Sequence, residues 1–131
     1  MEDFKAFMAR REDAALAFCR GDVGKVVELS TETDPATFFA PDGKIVQGAL
    51  EVRQDYQSAS GAFGRGGSCG FDVMQMASVG DLGFWTGLQI AEVEIQGNKV
   101  PMTLRVTEIF RREGGSWTLV HRHADMQMRK D

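Results

Sequence analysis

From Phe71 onward the chain consists of four strand-like runs, and each break between them is short and contains glycine. FDVMQMASVG, DLGFWTGLQIAEVEI, VPMTLRVTEIFR and SWTLVHRHADMQM are separated by Gly80-Asp81, Gln96-Gly97-Asn98 and Glu113-Gly114-Gly115. Breaks this tight reverse the chain on itself, so they predict hairpins. Parallel strands would need crossovers of a dozen or more residues. The second half is therefore expected to be an antiparallel sheet.

The first half has a different period. Phe4, Phe7, Met8, Arg11, Ala15, Phe18 and Cys19 recur at three- and four-residue steps, which predicts an amphipathic helix over 3–20. Gly21 ends it, and Asp22 can cap a second short helix that buries Val26, Val27 and Leu29. Asp34-Pro35 breaks the chain again, and ATFFAPDGKIVQG reads as two short strands around an Asp42-Gly43 turn. Residues 48–60 suit a third helix, with Leu50, Val52, Arg53, Tyr56 and Ala59 along its sides. GAFGRGGSCG, 61–70, fits neither G-x-G-x-x-G nor the P-loop pattern and is expected to be a flexible connection. Helices followed by an antiparallel sheet make an α+β domain with the helices on one face. At 131 residues the chain is expected to be a single domain, 1–131, with enough core to fold without staples.

The net charge of −4 and the scattered Lys and Arg argue against a nucleic-acid role, which needs a basic face. No apolar stretch approaches the ~18 residues of a membrane helix. The opening MEDFKAFMARRED lacks the apolar centre of a signal peptide, so a cytoplasmic location is expected. Neither Cys19 nor Cys69 has a CxxC neighbour, so they read as one core thiol and one loop thiol.

The order helix, short helix, strand pair, helix, long sheet resembles the nuclear transport factor 2-like superfamily along nearly the whole chain. The supporting motifs are the first helix followed by Gly21-Asp22, the turn Pro41-Asp42-Gly43 before Gly48, and the closing RVTEIFRR…W…VHRHAD. The closing motif is similar to the SnoaL-like branch and to the association (hub) domains of calmodulin-dependent kinases. The resemblance implies a cone: three helices packed on a curved, mainly antiparallel sheet enclosing a pocket. It also implies a homodimer through the sheet, and the arginines and aromatic residues taken up below favour a small-molecule ligand, anionic or aromatic. Any chemistry would be cofactor-free acid–base chemistry of isomerase, dehydratase or cyclase type. Ketosteroid isomerase, which shares the fold, uses a tyrosine and an aspartate; Ala14 and Ala40 fall at those positions here and can do neither job. The alternative is a non-catalytic accessory or oligomerisation module. The three hub-domain pocket arginines align with Thr86, Thr107 and Ala124.

The closing hairpin carries the remaining chemistry. With Arg112 to Gly115 as the turn, Arg105 is expected opposite Arg122 and Val106 opposite His121. Two facing arginines repel. Either a bound carboxylate or phosphate lies between them, or each extends into water or pairs with Glu92, Glu94 or a neighbouring subunit. Alternation groups Met102, Leu104, Val106 and Phe110 with Trp117, Leu119, His121 and His123, and groups Arg105, Thr107 and Arg111 with Thr118, Val120 and Arg122. The hub alignment turns the polar group toward the pocket. His121, His123 and Asp125 spread over ~13 Å along a strand, so no metal site is expected. His121 and His123 are the candidate proton carriers. Arg105, Tyr56, Thr107, Arg122, Phe84 and Trp85 are the candidate ligand contacts, with Met74 and Met76 beside the aromatic pair.

Overall fold

The computed structural model describes residues 2–128, apart from the side chain of Ser60. Helix α1 runs Phe4–Cys19, α2 Gly24–Leu29 and α3 Ala49–Ala59, with a 3-10 turn at Ser60–Ala62. The strands are β1 Thr37–Phe39, β2 Ile45–Gln47, β3 Ser68–Val79, β4 Leu82–Ile95, β5 Asn98–Glu113 and β6 Ser116–Met126. They form one sheet in the order β2-β1-β6-β5-β4-β3, antiparallel except where β1 joins β6. The expected cone is what forms: helices on the inner face of a curved sheet, held by apolar side chains from both layers. Among the described residues no helix is long and apolar enough to cross a membrane.

Helix α1 forms as its period requires. Asp3 caps it by accepting from the Lys5 N–H at 3.3 Å, and Phe4, Phe7, Met8, Arg11, Ala14, Ala15 and Cys19 make its buried stripe. The Asp22 carboxylate accepts from the Gly24 N–H at 3.0 Å where α2 begins. The glycine-rich stretch is shorter than expected, since Ser68, Cys69 and Gly70 already belong to β3. Gly67 has no room for a side chain: a Cβ there would sit 2.4 Å from the Cys19 carbonyl oxygen. The end of α1 thus lies hard against the start of β3, and the two cysteines join one small cluster with Ala91 and Val93. They are neighbours in space, not a separate core thiol and loop thiol.

Two features of the last hairpin overturn the expected register. The turn is Gly114-Gly115 alone, with φ of +56° and +87°, so Glu113 faces Ser116 and Arg111 faces Thr118. A bulge at Val120 then shifts β6 by one more residue, pairing Ile109 with His121 and Arg105 with Asp125. Arg105 therefore does not face Arg122, and Val106 faces Ala124 rather than His121.

A one-residue shift exchanges the faces of a strand. Trp117 and Leu119 point inward before the bulge, Arg122 and Ala124 after it, while His121, His123 and Asp125 lie on the outer face. The expectation that the polar face of β5 turns inward is also corrected. Leu104, Val106 and Phe110 are the buried residues and lie under the helices, whereas Arg105 and Thr107 face out.

Candidate functional site

Part of the interior between α1 and the sheet is plugged. Phe4, Phe7, Phe110 and Trp117 meet there with ring centroids 5.0–5.6 Å apart along Trp117–Phe4–Phe110–Phe7, and all four are buried. Toward α3 the packing opens into a cavity of about 310 Å³. Phe18, Phe38, Tyr56 and Phe63 supply aromatic wall, while Arg11, Gln89 and Arg122 line it as polar groups. Ala40, the position where an isomerase-type base would stand, is part of the wall.

Beneath this cavity lies a buried charge cluster. Arg11 holds Glu108 in a two-pronged grip, Nε donating to Oε1 at 2.9 Å and Nη2 to Oε2 at 2.7 Å. Arg122 Nη1 donates to Oε2 at 2.6 Å and Trp85 Nε1 to Oε1 at 2.8 Å. Arg122 Nη2 donates to Gln89 Oε1 at 2.6 Å. Arg11, Arg122 and Glu108 are 3%, 8% and 0% exposed. Burial alone would raise the Glu108 carboxyl, but the two guanidiniums and their hydrogen bonds override it and bring its pKa down to about 2. Glu108 is therefore ionised at neutral pH, has its oxygens occupied by four donors, and is not poised as a base.

Two donors in this region have no partner. Arg11 Nη1 and the Tyr56 hydroxyl are both buried and make no hydrogen bond. Burial raises the Tyr56 phenol far above its ordinary range, so it stays protonated. The Arg11 guanidinium also lies over the Phe71 ring, 5.5 Å from its centroid, which fixes its plane. The carboxylates at the mouth, Asp42 and Asp55, both interact with Lys44, through its backbone N–H and its ammonium respectively.

The residues singled out from sequence separate onto two faces. Tyr56 and Arg122 line the cavity. Trp85 lies inside but is wholly buried, stacked on Phe71 at 4.4 Å with its indole committed to Glu108. Phe84, its neighbour on β4, points outward, as do Arg105, Thr107 and His123. Met74 is 60% exposed by the same outer depression, and Met76 lies on the edge strand. His121 sits at another shallow outer depression, where its Nδ1 is 2.7 Å from Thr37 Oγ1. Partial burial, and then nearby His123, lower the His121 pKa. Arg105 is already paired with Asp125, at 2.7 and 2.8 Å. The histidines and Arg105 are thus not brought together with Tyr56; the sheet separates them.

Arg11, Glu108 and Gln89 are the site residues that sequence reasoning missed. Two of the three carried a local signal: Arg11 interrupts an otherwise apolar helical stripe, and Glu108 interrupts the alternation Leu104, Val106, Phe110. A charged residue in phase with a buried face is informative because burying it requires a partner.

Among solved structures, an NTF2-like family protein from Streptomyces avermitilis, provisionally called a dehydratase, superposes with a TM-score of 0.79 at 18% identity, covering 97% of this chain and 98% of that one. An NTF2-like superfamily protein from Salmonella enterica gives 0.76 at 14% identity, with 95% and 88% covered. The CaMKII hub of S. rosetta gives 0.71 at 17% identity, with 94% and 95% covered. At these identities the likeness establishes the fold. A sequence comparison with curated proteins returns no match. The SnoaL-like domain family matches residues 8–128, nearly the full length of the chain. The chain belongs to the SnoaL-like domain family.

Proposed function

We propose that the protein binds a small, partly apolar organic molecule inside the cone. The observation that carries this reading is the cavity with aromatic walls and two buried, unpartnered donors. Well-packed interiors leave few voids and few unmade hydrogen bonds, so a region holding both is built for something to enter. At about 310 Å³ the cavity is at the small end of ligand pockets, which favours a compact ligand.

Binding is favoured over acid–base turnover at this position. Tyr56 can donate, but Glu108 is saturated and the carboxylates at the mouth already interact with Lys44. Proton transfer by His121 or His123 would need a ligand on the outer face, where Asp125 already occupies the fork of Arg105.

A thermal-shift screen of compact aromatic and aliphatic compounds tests the reading. A ligand at a hundred times its Kd adds about 2.7 kcal/mol, enough to raise Tm by several degrees. Ala40→Phe, which fills the cavity from its wall, is expected to abolish that rise while leaving the circular-dichroism spectrum intact. A screen in which no compound moves the melting curve defeats the proposal.

The outer sheet face supports a second element of the reading, pairing of two copies. Leu82, Phe84 and Ile109 are 57%, 39% and 38% exposed there and line one apolar depression, a patch of the kind that marks protein contacts. Phe84 and Ile109 face each other across β4 and β5. Light scattering is expected to give a dimer mass for the wild type and a monomer mass for Phe84→Glu combined with Ile109→Glu. A wild-type monomer at micromolar concentration would remove this element.

A further inference from the structure

The charges inside the cone do not cancel. Arg11 and Arg122 bring two positive charges and Glu108 one negative, and all three are shielded from water. One net positive charge is therefore left within this buried cluster, while Asp42, Asp55 and Lys44, which also line the cavity and are more exposed, add one net negative charge. An uncompensated buried charge is strongly unfavourable, and so is a buried donor without an acceptor. Arg11 Nη1 and the Tyr56 hydroxyl add two such donors in the same region. One ligand group relieves all three deficits at once: an anion with two acceptor oxygens.

We propose that the interior site takes an organic monoanion, a carboxylate on a compact aromatic or aliphatic body, with the carboxylate received by Arg11 Nη1 and the Tyr56 hydroxyl. This rests on the reading that the cone interior holds the ligand, and adds its chemical class. Glu108 is the reason the class is a monoanion. By neutralising one guanidinium it leaves room for a single further negative charge, so a phosphate monoester carrying close to two charges would be over-charged there. Glu108 also acts as a positioning residue, because its grip on Nε and Nη2 leaves Nη1 as the prong of Arg11 without a partner. The body of the ligand would rest against Phe18, Phe38 and Phe63. The aromatic edge contacts already present, Phe18–Tyr56 at 6.3 Å and Phe18–Phe63 at 5.9 Å, suit a further ring.

Calorimetry with matched pairs separates charge from shape: benzoate, phenylacetate, 3-phenylpropanoate and hexanoate, each beside its primary amide. At least one acid is expected to bind ten times or more tighter than its amide. Tyr56→Phe keeps the ring and removes only the hydroxyl. It should weaken that acid on the order of tenfold, weaken its amide by less because the bond to a neutral carbonyl is weaker, and leave Tm equal or slightly higher, because an unsatisfied polar group is gone. A merely structural role for the hydroxyl would lower Tm instead. If acids and amides bind alike, the monoanion inference fails and the cone-interior reading stands. If neither acids, amides nor any compound of the wider screen binds, both fail.

Discussion

Glu108→Gln is expected to destabilise the protein by about 3–5 kcal/mol, the usual effect of breaking a buried ion pair from one side. The carboxylate takes four hydrogen bonds at 2.6–2.9 Å from Arg11, Arg122 and Trp85. A glutamine keeps one acceptor, turns an NH2 group against a guanidinium, and leaves two buried cations unneutralised. Since domains of this size are stable by about 5–15 kcal/mol, the loss is a large part of the whole. Urea midpoints at pH 7 measure it. The same cluster sets an acid limit. Glu108 has a folded pKa of about 2 against an ordinary 4.5, so the unfolded chain takes up its proton first as pH falls. Its stabilising contribution is complete above about 4.5 and disappears as pH falls toward 2. The wild type should lose stability across that window, and the variant should lack that component. Replacing the cluster together, Arg11→Met with Glu108→Leu and Arg122→Met, should restore stability to the wild-type level or above it, because apolar side chains of similar size avoid the desolvation of three charges. That variant should also lose any preference for acids. The pair of results would show the charges to be held for binding, not for folding.

Phe110→Ala is the second large effect, expected at about 3–5 kcal/mol. Phe110 is 0% exposed, edge-on to Phe7 at 5.1 Å and tilted against Phe4 at 5.6 Å. Helix α1 lies across it and the sheet behind it, so neither layer can collapse far enough to fill the space. The void opens outside the cavity, whose lining includes neither Phe110 nor Phe4 nor Phe7. Affinity for a cone-interior ligand should therefore be unchanged while the urea midpoint falls. Phe110→Leu should lose appreciably less, since most of the volume remains.

The layered fold was legible because both of its periods are written plainly. The stripe from Phe4 to Cys19 can only be a helix, and four apolar runs joined by glycine breaks can only be a meander. The site was harder to read for two physical reasons. First, the two-residue turn Gly114-Gly115 moves the pairing but not the faces, whereas the bulge at Val120 exchanges the faces of β6 partway along. Unbroken alternation therefore tied His121 and His123 to Trp117 and Leu119, and the hub alignment turned Arg105 and Thr107 inward together with Arg122. A bulge depends on how the strand packs and has no residue signature here. Second, Arg11 and Glu108 stand 97 residues apart, and no local spacing rule joins them. Each was visible as a charge out of place, and only the fold makes them partners.

The sheet also has a consequence for how this chain can change over time. Phe84 and Trp85, Thr107 and Glu108, His121 and Arg122 are sequence neighbours that serve opposite sides of a single layer. Point substitutions can remodel either side while sparing the other. An insertion or deletion of one residue inside β4, β5 or β6 would instead exchange the two sides wholesale. Length variation in descendants is thereby confined to the turns between strands, and at Gly114-Gly115 both glycines have open space around them.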